Sequence, residues 1–221
     1  MGSSYSYSRK NLTGEVENSA IASYYQSGKI NIKEHLILII LRSLLGQRFF
    51  TQLRTVEQLG YIVFASSFTR FSSDGFVFVI QSDVKSPNYL DERIEAFLAD
   101  VWMKDLANMT AIDFEDVKKA VKSELQVEED TLDARAENLW AEIDSRQFIF
   151  NRSGALALLS ISHRSSLVSN DAVAVFVEKL KSISIHDIKV FSSAYFFNHQ
   201  TRRKLRYFSQ VFVPRLLRLI P

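Results

Sequence analysis

Leu53-Arg54-Thr55-Val56-Glu57-Gln58-Leu59-Gly60-Tyr61-Ile62-Val63-Phe64 joins an apolar helical pattern to an unbroken β-favouring run. Glycine takes the left-handed conformation without steric cost, so the stretch predicts a helix closed at Gly60. Tyr61 to Phe64 then predict a strand covered on both faces, or a sheet with one thickly covered face. A helix-to-strand corner holds side chains on two rigid elements. Arg54, with five fixed donors, and Tyr61, whose phenol both donates and accepts, are therefore the candidate residues for a ligand.

Upstream, Ile21, Ser23 and Tyr25 alternate with Ala22, Tyr24 and Gln26, which predicts a strand stopping at Ser27-Gly28. Leu36, Ile39, Ile40, Leu44 and Leu45 recur at helical spacing. With Ile37, Leu38 and Leu41 between them, that helix is apolar nearly all round, as one deep in a core must be. Gly46 is placed to break it. Downstream, Tyr61–Phe71 and Phe76–Ser82 predict a hairpin turned by Ser72-Ser73-Asp74-Gly75.

Four helices follow. Ser86-Pro87 is an N-cap and first helical position, ahead of a stripe of Leu90, Ile94, Phe97, Leu98 and Val101. Thr110-Ala111-Ile112-Asp113 opens a helix carrying Phe114, Val117, Val121 and Leu125, and Leu132–Phe148 carries Leu139, Trp140 and Ile143. Ser184-Ile185-His186-Asp187 caps the last, with Ile188, Phe191 and Tyr195 on one face, and Leu205–Val213 is a final strand. These stripes are expected to be core faces. The order of elements predicts an α+β fold, an antiparallel sheet with helices gathered on one face.

Among the 221 residues, 27 lysines and arginines stand against 25 aspartates and glutamates, so no whole-chain field calls for nucleic acid. The absence of cysteine excludes disulfides, thiolate metal sites and a thiol nucleophile. The longest apolar run, Leu36–Leu41, is far short of the ~20 residues of a membrane span. With no apolar signal-peptide core in Met1–Lys10, a cytoplasmic location is expected. Met1-Gly2-Ser3-Ser4-Tyr5-Ser6 fits the loose myristoylation pattern, but residues 1–13 are expected to be a flexible leader. Residues 14–213 form a single domain with an insertion at 153–170, and 214–221 a tail. From His199 onward the chain has six arginines and lysines and no acid, expected to be solvated charges on an edge strand.

The Leu53–Phe64 stretch resembles the Leu-Arg-Thr-x-Glu-Gln-Leu-Gly-Tyr-x-Val signature of the insulin-degrading enzyme and pitrilysin family of zinc metallopeptidases, in its C-terminal, fourth domain. Glu17–Gln26, Phe78–Asp83 and Tyr89–Leu98 resemble family segments in order and spacing, so the likeness runs from about Glu15 to Asn151. It implies an antiparallel sheet backed by helices, like that of the mitochondrial processing peptidases. It also implies a chamber closed by two halves, with zinc in the N-terminal half, and it makes Arg54 and Tyr61 substrate-binding residues for a peptide.

The family's zinc motif, H-x-x-E-H, does not occur. Asn31-Ile32-Lys33-Glu34-His35 approaches it, but asparagine is a poor transition-metal ligand, and no metal ligand or catalytic residue is assigned to this chain. Glu57 and Gln58 are expected to hold the corner through bonds to backbone. The reading that follows is the non-zinc-binding C-terminal part of a metalloendopeptidase, inactive alone, whose partner is the zinc-bearing half. The alternative is a non-catalytic interaction module that keeps the family fold.

Overall fold

The computed structural model of the chain describes residues 3–9, 18–29, 31–70, 73–126, 131–133, 136, 140, 143 and 171–209. Its strands are β1 (Ser3–Arg9), β2 (Ser19–Lys29), β3 (Ile62–Arg70), β4 (Ser73–Ser82) and β5 (Arg203–Ser209), in the spatial order β1-β5-β2-β4-β3. Around them stand α1 (Ile32–Phe49), α2 (Pro87–Ala96), α3 (Met103–Asn108), α4 (Ala111–Leu125), α5 (Asp171–Lys181) and α6 (Ile185–Ser192). Wider π-helical turns continue α1 over Phe50–Val56, α2 over Phe97–Trp102 and α6 over Ser193–Phe197.

The α+β class holds, but the sheet is mixed. Ser3–Arg9, expected within a flexible leader, is an edge strand running parallel to β5, while the other neighbours are antiparallel. Its register sets Tyr7 beside Tyr207, whose rings stack 5.6 Å apart. A free β5 edge and an alternating partner are enough to order a strand that composition alone marks as leader.

Ile21, Tyr25, Phe76, Phe78 and Ile80 are buried on the helical side of β2 and β4. There Phe78 lies 5.1 Å from both Phe49 and Phe76, and Phe49 meets Phe97 edge-on at 5.2 Å. Such ring pairs add about 0.5–1.5 kcal/mol each beyond the area they bury. Helix α1 packs on β3 on one side and against α4 and α5 on the other, which explains its all-round apolarity. With its π-helical continuation it is long and apolar enough to cross a membrane, yet its buried residues from Leu36 to Phe49 belong to this core.

Gly46 does not break the helix. It lies inside α1, facing β3, where a Cβ would sit 3.4 Å from the Ala65 carbonyl, near ordinary contact distance. The hairpin is also tighter than expected. Arg70 pairs with Ser73, leaving two residues between the strands and placing Asp74 and Gly75 inside β4. A Cβ on Gly75 would lie 2.3 Å from the Tyr24 ring and 2.4 Å from the Tyr25 carbonyl, so crowding by β2, not turn chemistry, requires this glycine.

Caps match the sequence. Ser86 accepts from the Tyr89 N–H with Pro87 at the first helical position, and Thr110/Asp113 and Ser184/Asp187 form complete capping boxes. Of Leu132–Phe148 only a few residues are described. Trp140 and Ile143, expected on a core face, are exposed, Trp140 to 69%. The 153–170 insertion and the tail lie outside the described residues.

The expected solvated strand charges are corrected as well. Strand β5 is interior to the sheet, and Lys204 is buried with Nζ 2.6 Å from both Asp91 and Glu95 of α2. Arg202 pairs with Glu95 and Arg206 with Asp91, while Ser23 and Tyr25 donate to the same carboxylates. Burial works to raise the Glu95 pKa, but the Lys204 charge and the converging hydrogen bonds hold it below its ordinary value. This network rivets β5 and β2 to α2.

Candidate functional site: the helix-to-strand corner

The corner forms where the last turns of the long first helix widen. Glu57 N–H donates to the Gln52 carbonyl and Leu59 N–H to the Leu53 carbonyl, at 2.9 and 3.0 Å, so the helix unwinds gradually. π-Helical turns of this kind recur at functional sites. Leu53 and Leu59 are buried and anchor both ends. Tyr61 N–H then donates to the Gln81 carbonyl at 3.1 Å, which docks the start of β3 on β4.

Gly60 does not close the helix in the left-handed region. The left-handed residue is Gln58, at φ 54°. Gly60 is required by proximity instead: a Cβ there would fall 1.7 Å from the Gln81 carbonyl oxygen. Glycine is demanded at this position by a strand that lies 21 residues further along, which a local reading of Leu-Gly-Tyr does not reveal.

Arg54 and Tyr61 are brought together. The Arg54 guanidinium carbon lies 5.3 Å from the centroid of the Tyr61 ring, within cation–π range. Tyr61 is 82% exposed and Arg54 is half-buried, so neither turns into the apolar interior. No carboxylate among the described residues pairs with Arg54. Its side chain borders a shallow hollow of about 440 Å³ with Phe50, Thr55 and Gln58. Among the described residues the arrangement offers a cation without an ion-pair partner, a phenol without a hydrogen-bond partner, and an exposed aromatic face.

Glu57 and Gln58 differ from expectation. Glu57 reaches side chains and not backbone: Arg93 Nε and Nη2 of α2 donate to its two oxygens at 2.8 and 2.9 Å, and Gln52 Nε2 donates at 3.0 Å. Burial works to raise the Glu57 pKa, but these bonds hold its carboxyl below the ordinary range. Sequence reasoning missed Arg93 and the Gln81 carbonyl, and no local spacing links either to the corner.

The motif-like Glu34 and His35 are no metal centre. His35 is buried with Nδ1 3.0 Å from Asp74 Oδ2, and Asp74 also accepts from Thr69 Oγ1 at 2.5 Å. His35 thus braces α1 against β4. Among the described residues no three His, Asp or Glu side chains gather as a metal would need. The residues present do not fit the family's zinc.

Comparison with known proteins agrees with this geometry. Solved structures with the same fold include pitrilysin, at TM-score 0.69 and 22% identity over 94% of this chain and 20% of that one. A peptidase M16 inactive domain from Pseudomonas fluorescens aligns at TM-score 0.55 and 11% identity, over 96% of this chain and 44% of that one. The fold is therefore that of an M16 peptidase domain.

The family model described as PQQ synthase PqqF-like, C-terminal lobe domain 4, matches residues 40–140. Insulin-degrading enzyme of Homo sapiens is 31% identical over 163 residues, 74% of this chain and 15% of that protein. Insulin-degrading enzyme-like 2 of Arabidopsis thaliana is 31% identical over 188 residues, 83% of this chain and 19% of that protein. The chain belongs to the insulin-degrading enzyme and pitrilysin family and corresponds to its C-terminal, fourth domain. It spans less than a fifth of the length of these curated relatives.

Proposed function

We propose that this chain is the non-zinc-binding C-terminal part of an insulin-degrading-type metalloendopeptidase, which helps enclose the chamber and positions the peptide. We take residues 14–213 as its single domain, to whose sheet β1 (Ser3–Arg9) adds an edge strand. The observation that supports the reading is the pairing of Arg54, without a carboxylate partner among the described residues, with the outward Tyr61. A guanidinium holds a peptide carbonyl, and a phenol donates to an oxygen that gains charge during attack. The metal and the residue that activates water come from the N-terminal half, so no step is assigned here to zinc.

The test is reconstitution with a zinc-bearing N-terminal half of a family enzyme. Arg54→Ala and Tyr61→Phe are expected to lower kcat/KM by about 10²–10³, the usual loss when one preorganised donor is removed. Unchanged turnover in both variants removes the assigned roles. A second reading, an interaction module without peptidase function, draws on the exposed Tyr5, Tyr7 and Leu205, which share the sheet face opposite the helices. It predicts no gain in peptide cleavage on mixing and a partner held by that face.

A further inference from the structure

We infer that Glu57, gripped by Arg93, is a positioning residue that sets the distance and angle between Arg54 and Tyr61. The inference rests on the substrate-binding reading of that pair. Tyr61 is fixed from one side by its N–H bond to the Gln81 carbonyl and by the Gly60 backbone pressed onto the same group. Arg54 lies on the other side, in π-helical turns that leave regular structure at Glu57, and between the two runs Gln58 in the left-handed region. Among the described residues, the only side-chain hydrogen bonds from residues 50–61 to another element are those that Glu57 accepts from Arg93.

The grip has the geometry of a positioning device. Both Glu57 oxygens are engaged by one planar guanidinium, and Gln52, one turn earlier in the same helix, donates to Oε1. A two-point fork fixes orientation as well as distance. The carboxylate is mostly buried, its side chain 16% exposed, so water does not readily take the place of Arg93. Arg93 belongs to α2, whose Asp91 and Glu95 are locked to Lys204 and Arg206 of β5 and to Arg202 just before it. The corner is thereby referenced to the rigid frame of the domain and not only to its own helix. Glu57 touches no substrate in this scheme; it acts through Arg54 and Tyr61.

The experiment is a double-mutant cycle on the 221-residue chain reconstituted with a zinc-bearing N-terminal half. Glu57→Gln is expected to lower kcat/KM about 10- to 100-fold, the scale set by misplacing a reacting partner by about 1 Å. Arg93→Lys keeps the charge but loses the fork, and is expected to fall between wild type and Glu57→Gln. In an Arg54→Ala/Tyr61→Phe background, Glu57→Gln is expected to change kcat/KM less than twofold, because the groups it positions are gone. A merely structural role would multiply the losses in both backgrounds, and that result overturns the inference. So does full activity in Glu57→Gln and Arg93→Lys while Arg54→Ala is impaired, an outcome that leaves the substrate-binding reading intact. If Arg54→Ala and Tyr61→Phe are themselves unimpaired, that reading fails and the inference falls with it. Should Glu57→Gln not fold, the Arg93→Lys arm of the same cycle decides by the same criterion.

Discussion

Replacing Gly60 by alanine tests the account of the corner most directly. The added Cβ would start 1.7 Å from the Gln81 carbonyl oxygen and 2.7 Å from its carbon, whereas Cβ contacts below 3.0 Å essentially do not occur. Backbone must therefore move by more than an ångström on at least one side. That motion breaks the 3.1 Å bond from Tyr61 N–H to the same carbonyl. A lost hydrogen bond with its groups left poorly paired costs about 1–3 kcal/mol, and overpacking adds about 1–3 kcal/mol. Gly60→Ala is thus expected to destabilise by about 2–6 kcal/mol in urea unfolding, and to speed hydrogen exchange at the Tyr61 amide. Gly60→Asn separates the two explanations for the glycine. Asparagine tolerates the left-handed region, so a conformational requirement would favour Asn over Ala, while steric exclusion makes the larger Asn worse. Asn outperforming Ala, or Ala costing under about 0.5 kcal/mol, refutes the reasoning.

Three further predictions concern the frame behind the site. Lys204→Met leaves Asp91 and Glu95 without their shared cation and is expected to cost about 3 kcal/mol in denaturant unfolding, with little dependence on salt because the pair is buried; a loss below about 1 kcal/mol would show the network to be dispensable. Asp74→Ala strips an acceptor from Thr69 and a partner from His35 in a buried setting, for an expected cost of about 2–3 kcal/mol; additivity with His35→Ala in a double-mutant cycle would deny the contact any coupling. Burial, aided by the Asp74 charge, pushes the Tyr24 phenol from 10.0 up to about 12. Because the folded state favours the neutral phenol, this contribution is fully present below pH 10 and lost as pH rises to about 12, on the order of 2–3 kcal/mol; equal stability of wild type and Tyr24→Phe across that window would contradict it.

Much of the architecture was legible locally. Period-two alternation marked β2, and the apolar run Leu36–Leu41 with Leu44 and Leu45 beyond it marked the central helix. Ser86-Pro87, Thr110/Asp113 and Ser184/Asp187 fixed helix starts, since caps are formed by residues within one turn of each other. The misreadings share one cause. Gly46, Gly60 and Gly75 look like punctuation, yet Gly46 lies inside a continuous helix, and Gly60 and Gly75 sit where another element comes too close for a side chain. Ser3–Arg9 looks like leader until β5 offers it an edge, and the β5 cations look solvated until α2 supplies Asp91 and Glu95.

For the candidate site the division is similar. The sequence by itself determined that a helix meets a strand between Leu53 and Phe64, and that Arg54 and Tyr61 flank the junction, because helix and strand preference are carried by neighbouring residues. Only the tertiary structure decided that the two side chains meet 5.3 Å apart and face outward. It alone revealed that the Gln81 carbonyl dictates Gly60 and that Arg93 grips Glu57. Those contacts join residues 21 and 36 positions apart, and such distant pairings are set by the packing of the sheet and α2, not by any pattern along the chain.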